Sequence, residues 1–364
     1  MLDHSASVGV RGQITCDYLK GLGFSQIDVT GCPSLALNGP GLPLREKQPL
    51  TPESKLCFTG SVSNPPDFKK FAVRCTERFP NTYFVPQFID DLRLMYLGIP
   101  HPDTADSRVL HPTNLNHPVF VEDKARFFIN LPSMFAFNRE MDFNYGTRIH
   151  GAIGNILCGV PSLLFPTDAR IRELAEYHNI PAIPASAVTP DTDLAALYDQ
   201  TDFRQVNNGH AERFWHLIDF LNENEIKTIY DDRTGTPARS LYDEKTAATS
   251  YAQPVHSMLV RPPEEIARRV DTAVRLQRKE IEDDSRLATQ LRDSQRKVTQ
   301  LQERNKKQAA QIQALKEERK ALKTELKATK KPLRRLAWYQ RTSTFGIGLA
   351  RLKKKLRRLL GKEK

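Results

Sequence analysis

The segment Gly146-Thr147-Arg148-Ile149-His150-Gly151 holds the residues best suited to chemistry in this chain. It closes an apolar stretch and opens a helix rich in small residues, Ala152 and Gly154 among them. Small residues allow close backbone approach, and the free N–H groups and dipole at a helix start favour an anion there. Arg148 and His150 stand two positions apart, so on an extended segment they project to the same side. Such a pair could hold a phosphate or carboxylate bidentately and also offer a proton donor near neutral pH. The structural alternative is that Arg148 makes a buried ion pair while His150 caps the helix. One Arg-x-His does not decide between them.

Other candidates are weaker. His101, His111 and His117 each precede a proline, a spacing that suits a loop and not metal ligation, so no metal is expected. The chain has no G-x-x-x-x-G-K-S/T phosphate loop and no G-x-S-x-G elbow.

The elements that must position Arg148 and His150 alternate in type. From Val8 to about Tyr230, short apolar runs at Lys55–Gly60, Thr82–Gln87, Ala125–Asn130, Ser162–Pro166 and Ala182–Pro184 read as strands. Pro65–Phe79, Gly151–Cys158, Ala169–Tyr177 and Phe203–Leu221 read as helices. Alternation of this kind predicts βαβ units and a parallel sheet. Gly98 to Pro118 is loop-rich, with a short strand possible only at Val109-Leu110. Residues 231–263, dominated by Thr, Ser, Ala, Gly and Pro, read as a linker.

The length of 364 residues predicts about two domains, or one plus extensions. A hydrophobic share of 39% is low for a globular chain, so part of it is expected to lack a packed core. The net charge of +11 is carried by the last 34 residues, which hold twelve basic residues and one acid; residues 1–330 are neutral. That excludes a generally basic nucleic-acid-binding body, and nucleic acid is not an expected partner. No run approaches the ~18 apolar residues of a membrane-spanning helix. The start, Met-Leu-Asp-His-Ser-Ala-Ser, shows no secretory pattern, and five scattered cysteines without C-x-x-C fit a reduced, cytoplasmic setting.

From Ile266 an apolar 3-4 spacing holds one register, and between Leu287 and Leu326 eight of twelve seam positions are apolar. With charged residues on the other faces, this predicts a coiled coil over residues 264–330, as against a single solvated helix. Asn305 falls on the seam, where a buried Asn favours a parallel dimer. Pro332 is expected to interrupt that helix. Beyond it, Leu349, Leu352, Leu356, Leu359 and Leu360 form a helical stripe among dense Lys and Arg, with Trp338, Tyr339 and Phe345 upstream. Stripe, cations and aromatics together suit a helix lying on an anionic bilayer better than a tail touching nucleic acid.

Two blocks carry a family resemblance. Gly-Thr-Arg-Ile-His-Gly, followed by Ala-Ile-Gly-Asn-Ile-Leu-Cys-Gly-Val-Pro-Ser-Leu, then Asp168-Ala-Arg170-Ile-Arg-Glu173, resembles the bacterial polysaccharide pyruvyl transferase family. Val8-Gly-Val-Arg11-Gly12-Gln-Ile-Thr, with Val29-Thr-Gly31-Cys32-Pro33-Ser34-Leu after it, matches a second signature of that family in the same order. The resemblance covers about Val8 to Leu221.

The resemblance implies an α/β, glycosyltransferase-B-like fold of Rossmann-type domains with the active site in the cleft. It divides the chain into a remnant of a first domain (1–48) and a second Rossmann-like domain (49–230). The linker (231–263), the coiled coil (264–330) and the basic amphipathic tail (331–364) follow. Family members carry most of a first domain before the Val-Arg-Gly block, whereas here that block begins at Val8. A late start codon, a split gene or a remnant that no longer catalyses would each account for this.

Members transfer the enolpyruvyl unit of phosphoenolpyruvate onto two hydroxyls of a sugar, leaving a pyruvate ketal and releasing phosphate. By resemblance, Arg148 and His150 face phosphoenolpyruvate, Arg11 adds an anion contact, and Gly151 lies at the donor. Asp168 and Glu173 could orient Arg170, His150 or the acceptor hydroxyls, or could merely support the cleft. No cofactor is implied, phosphoenolpyruvate being the donor substrate. The expected partners are that donor, a saccharide acceptor of exopolysaccharide biosynthesis, a second copy of the chain and an anionic membrane surface. A lipid-linked acceptor would sit where the tail binds, at the inner face of the cell membrane. The alternatives are a non-catalytic membrane-associated scaffold or a glycosyltransferase of the same fold.

Overall fold

The computed structural model describes residues 5–61, 63–100, 112–230, 241–342 and 344–359. It divides into two compact units, residues 1–277 and 278–364.

The first unit is built on two parallel sheets. The smaller pairs β1 (Val8–Val10) with β2 (Ile27–Val29), joined by α1 (Gln13–Gly21), around a small core of Val10, Cys16 and Ile27. A 3-10 helix, Pro33–Asn38, follows β2. The larger sheet has the order β4-β3-β5-β6, from β3 (Leu56–Thr59), β4 (Thr82–Phe84), β5 (Phe143–Gly146) and β6 (Ser162–Leu164). Every pairing is parallel, and β3, β5 and β6 are buried along their whole length. Burial on both faces explains why β3 reads as an unbroken Leu-Cys-Phe-Thr run and not as an alternation.

Helices cover that sheet through apolar stripes. In α2 (Pro66–Arg78), Phe68, Phe71, Ala72 and Cys75 recur at helical spacing and are buried. Their rings meet the sheet side, with Phe68 and Phe165 centroids 5.1 Å apart and Phe71 and Tyr145 centroids 6.4 Å apart. After β4 come α3 (Ile89–Leu97), α4 (Pro118–Val121) and α5 (Leu131–Asn138); α6 (Ile149–Leu157) links β5 to β6. Then follow α7 (Ala169–Tyr177), α8 (Leu194–Gln200) and α9 (His210–Glu223).

Several elements differ from the sequence reading. Ala125–Asn130 and Ala182–Pro184 form no strands. Each contributes a single parallel bridge at a sheet edge, Ala125 to Phe84 and Ala182 to Leu164. The helix expected over Phe203–Leu221 is split into a 3-10 turn, Phe203–Asn207, and α9, because Gly209 adopts φ of +67° between them. α9 also serves the first sheet despite lying within 49–230. Asn224, just past its end, accepts from the Ala6 N–H at 3.1 Å, and His216 meets Asp28 at 3.1 Å. Val109-Leu110, His101 and His111 lie outside the described residues.

The stretch read as a linker is not free throughout. Its residues 231–240 lie outside the described residues, and α10 (Leu241–Thr246) follows them. Farther on, Val255 pairs antiparallel with Phe127, His256 meets Asp123 at 3.0 Å, and Ser257 and Met258 are buried. A Pro- and Ser-rich composition reports weak local propensity, and tertiary pairing overrides it here.

α11 runs from Pro263 to Thr342 and α12 from Thr344 to Leu359. The start of α11 packs within the first unit, where the Arg269 guanidinium lies 4.0 Å from the Tyr96 ring centroid. The break expected at Pro332 is not found: the helix continues through it, as a helix can when it forgoes one hydrogen bond. Seam residues Leu287, Leu291, Val298, Leu301, Ile312, Leu315, Leu322 and Leu326 are all exposed on the single chain. So are Leu349, Leu352 and Leu356 of α12. Leu360 and the side chains of Pro332, Tyr339, Phe345 and Leu359 lie outside the described residues. Among the described residues, no helix is long and apolar enough to cross a membrane.

Candidate active site

The site forms where β5 turns into α6, next to the end of β3. Gly146 ends β5 at φ of +152°, and a Cβ there would stand 2.2 Å from the Thr59 carbonyl oxygen. The absence of a side chain lets the turn close on β3, whose Thr59 carbonyl accepts the N–H groups of Thr147 (2.9 Å) and Arg148 (3.2 Å). The Thr147 hydroxyl donates to Asn64 Oδ1 at 2.8 Å. Gly151 repeats the device one turn on: its Cβ would meet Thr59 Cγ2 at 2.6 Å. Thr59 is thus the surface against which the turn is moulded.

Arg148 is the N-cap residue of α6, in extended conformation, and His150 lies inside the first helical turn. The expected extended projection of the two to one side therefore does not hold, because the helix begins at Ile149. The first intrahelical bond from this end is Ala152 N–H to Arg148 O, so the N–H groups of Ile149, His150 and Gly151 are those a helix start leaves over.

Arg148 is half-buried. Its guanidinium lies 4.2 Å from the Phe88 ring centroid, and its Nε is 3.5 Å from Gln87 Oε1. Burial lowers its proton affinity most, and the Arg170 charge lowers it further, against opposing contributions from Asp91 and Asp168. Two guanidiniums thus repel one another at a helix N-terminus, an arrangement that a bound anion would relieve.

His150 is exposed and lines a groove of about 690 Å³. The groove's walls are mostly apolar: Leu37, Phe128, Met134, Ile153 and Ile218 line it, with Gln87 at the Arg148 side. His150 Nε2 lies 3.9 Å from the sulfur of Cys32. Cys32 caps the 3-10 helix Pro33–Asn38, and its own N–H donates to His178 Nε2 at 2.8 Å. Burial acts to raise the Cys32 thiol, but His150 and the N–H and hydroxyl of Ser34 outweigh it, bringing it down to about 7. Burial holds His178 neutral, down to about 3, so it can accept that N–H.

Of the two roles expected for Asp168 and Glu173, the contacts of both are supporting ones. Asp168 caps α7, its Oδ1 accepting from the Ile171 N–H at 2.8 Å. Glu173 is buried and accepts the Thr15 N–H at 2.9 Å and the Thr15 hydroxyl at 3.0 Å. Its oxygens are spent on the start of α1, not on Arg170 or His150. Gly12 packs against this carboxylate, a Cβ there standing 1.7 Å from Glu173 Cγ. Arg11, one residue earlier, is exposed. Arg170, in the first turn of α7, is exposed and acts on Arg148 through its charge. Cys32, Gln87, Phe88 and Thr59 escaped the sequence reading as site residues. Cys32 alone had a signal, since it sits inside the second quoted block.

Residues 1–169 match the family model described as polysaccharide pyruvyl transferase, ending just before Arg170 and Glu173. No curated protein matches the sequence. Among solved structures, the chain is similar to a glycotransferase of kitacinnamycin at 19% identity, over 50% of this chain and 42% of that one, with a TM-score of 0.26. It is also similar to the glycosyltransferase SnogD from Streptomyces nogalater at 16% identity, over 57% of this chain and 61% of that one, with a TM-score of 0.22. The chain thus spans less than two thirds of either structure.

Proposed function

We propose that this chain, whose residues 1–169 match the model of the polysaccharide pyruvyl transferase family, moves the enolpyruvyl unit of phosphoenolpyruvate onto a saccharide of a cell-surface polysaccharide, forming a pyruvate ketal. The observation that carries this reading is the half-buried Arg148 at the N-cap of α6, with His150 in the first helical turn and the charge of Arg170, from the start of α7, acting on Arg148. A small anion with both a carboxylate and a phosphate complements that charge.

In this reading the guanidiniums and the first-turn N–H groups of α6 hold the donor, with Arg11 as a further cation from the 1–48 block. A sugar hydroxyl adds to carbon 2 as His150 gives a proton to carbon 3, and the imidazole recovers the proton of that hydroxyl. The carbon–oxygen bond to phosphate then breaks. A second hydroxyl closes the ketal on the same carbon, and its proton leaves with inorganic phosphate. No cofactor enters these steps. Asp168 and Glu173 serve by fixing helix starts, and Gly151 by letting α6 approach Thr59.

The two Rossmann-like halves of a glycosyltransferase-B-like enzyme are the architecture this reading supposes. The acceptor's saccharide would enter beside His150, with the apolar groove wall taking the lipid end of a lipid-linked precursor. The exposed seam of α11 supports pairing with a second copy of the chain. The leucines and cations of α12 support docking on an anionic bilayer at the cytoplasmic face. Phosphate release from phosphoenolpyruvate, with lipid-linked saccharides as acceptor, tests the reaction. His150→Ala should lower release by about 100-fold or more; equal release by both proteins would rule out the assignment.

A further inference from the structure

Cys32 lies in the 1–48 block, His150 in the following one, 118 positions apart in sequence, yet the sulfur and Nε2 are 3.9 Å apart. Nothing in the reaction as described above uses Cys32. Its position is nonetheless tightly fixed. Gly31 turns the chain at φ of +68°, and a Cβ there would collide with His178 and Tyr177 of the α7 end. The Cys32 N–H is anchored on His178, and Pro33 starts the 3-10 helix directly after it. The sulfur therefore lies beside Ser34 and faces one exposed group, the imidazole of His150. Thiolates are stabilised by neighbouring donors and by an adjacent imidazolium.

We propose that Cys32 and His150 form one proton-sharing pair, in which the Cys32 thiolate accepts the Nε2–H and holds the imidazole charged, leaving Nδ1–H as the proton given to substrate. Cys32 is a positioning residue in this scheme: it acts through His150 and touches no reacting atom. When Nδ1–H goes to carbon 3, the imidazole becomes neutral and regains its proton from the attacking hydroxyl, while the thiolate keeps its charge throughout. The scheme explains why a residue of the first block is carried to the site at all. It rests on the transferase reading for its role in catalysis, but the pair itself does not.

Of the titratable side chains near this residue, His150 from α6 faces the sulfur, while His178 and Tyr177 at the end of α7 border the backbone of Gly31 and Cys32. His178 is neutral across the working range, since burial keeps it down to about 3, and burial also raises Tyr177. The imidazole of His150 is left as the group that sets the thiolate. Three further cysteines, Cys57, Cys75 and Cys158, are pushed upward by burial, so they do not compete near neutral pH.

Ultraviolet thiolate absorbance of the full chain, titrated without any substrate, tests the pair. The wild type should show one thiolate step near pH 7 that moves upward by about one pH unit or more in His150→Gln, a tenfold change in thiolate fraction. Both proteins keep all five cysteines, so the difference isolates the one coupled to His150. An identical titration in the two proteins, or no step below pH 8 in the wild type, overturns the proposal. A second arm follows phosphate release against pH in Cys32→Ser. The pair predicts that the alkaline limb moves to lower pH while the KM for phosphoenolpyruvate stays within about twofold; a uniform loss at every pH would mark a merely structural cysteine and overturn the positioning role. Absence of phosphate release by the wild type would defeat the transferase reading alone, since the thiolate titration needs no turnover.

Discussion

Glu173 accepts two hydrogen bonds from Thr15, one from its N–H at 2.9 Å and one from its hydroxyl at 3.0 Å, across 158 positions of sequence. This buried carboxylate is a bolt between α7 and the start of α1, and Gly12 leaves room for it. Glu173→Ala should therefore lower stability by about 1–3 kcal/mol, the cost of a buried donor left without its acceptor. Urea unfolding checks this. An unchanged midpoint would show that the joint is dispensable.

The turn at Thr59 makes a sharper demand. Gly146→Ala places a methyl group 2.2 Å from a backbone oxygen at a φ that side chains avoid, and the backbone cannot yield cheaply. A loss of about 3 kcal/mol or more is expected. Gly21→Ala is the control, since nothing lies within 4 Å of a Cβ there. It should be neutral or slightly stabilising. Thermal melts of the two variants separate these outcomes.

Acid should weaken the fold through His178. Burial, with repulsion from Arg213 and His210, depresses its folded value from 6.5 to about 3. The unfolded chain binds a proton through pH 6.5 and the folded one does not until near 3. The contribution of the neutral imidazole is therefore complete above 6.5 and is lost progressively as pH falls through that window. At pH 5 the loss is about 2 kcal/mol from this residue. His178→Gln should flatten the slope between pH 7 and 5 in urea unfolding; an equal slope would locate the acid sensitivity elsewhere.

How much of this was legible beforehand depends on what each residue answers to. The strands β3 and β6 and the helices α2 and α7 could be read directly, because burial imposes apolar periodicity on the residues themselves. The turn from β5 into α6 was legible from its glycines and its Arg-x-His. The placement of His150 was not, because an extended reading carried two residues too far into what is a helical turn. Glu173 looked like a site carboxylate. Its partner Thr15 lies 158 positions away, and no local pattern announces such a pairing. Val255 and His256 were hidden for the same reason: a stretch of weak propensity was ordered by Phe127 and Asp123 on a distant segment.

The exposed seam of α11 predicts self-association. Replacing Leu301 and Leu315, which are 58% and 63% exposed on the single chain, by Lys should convert a dimer to a monomer in sedimentation at micromolar concentration. The first unit should keep its circular dichroism. If the variant sediments like the wild type, the seam is a solvated face and not an interface.

The transferase reading requires that Arg148, at the start of α6, receives a small anion that carries a carboxylate and a phosphate. Calorimetric titration of the full chain with phosphoenolpyruvate tests this without needing the acceptor sugar. Binding is predicted for the wild type, weakened by about tenfold or more in Arg148→Ala, the usual scale for losing one charge-assisted contact. An absence of binding in the wild type, or equal affinity in the two proteins, would contradict it.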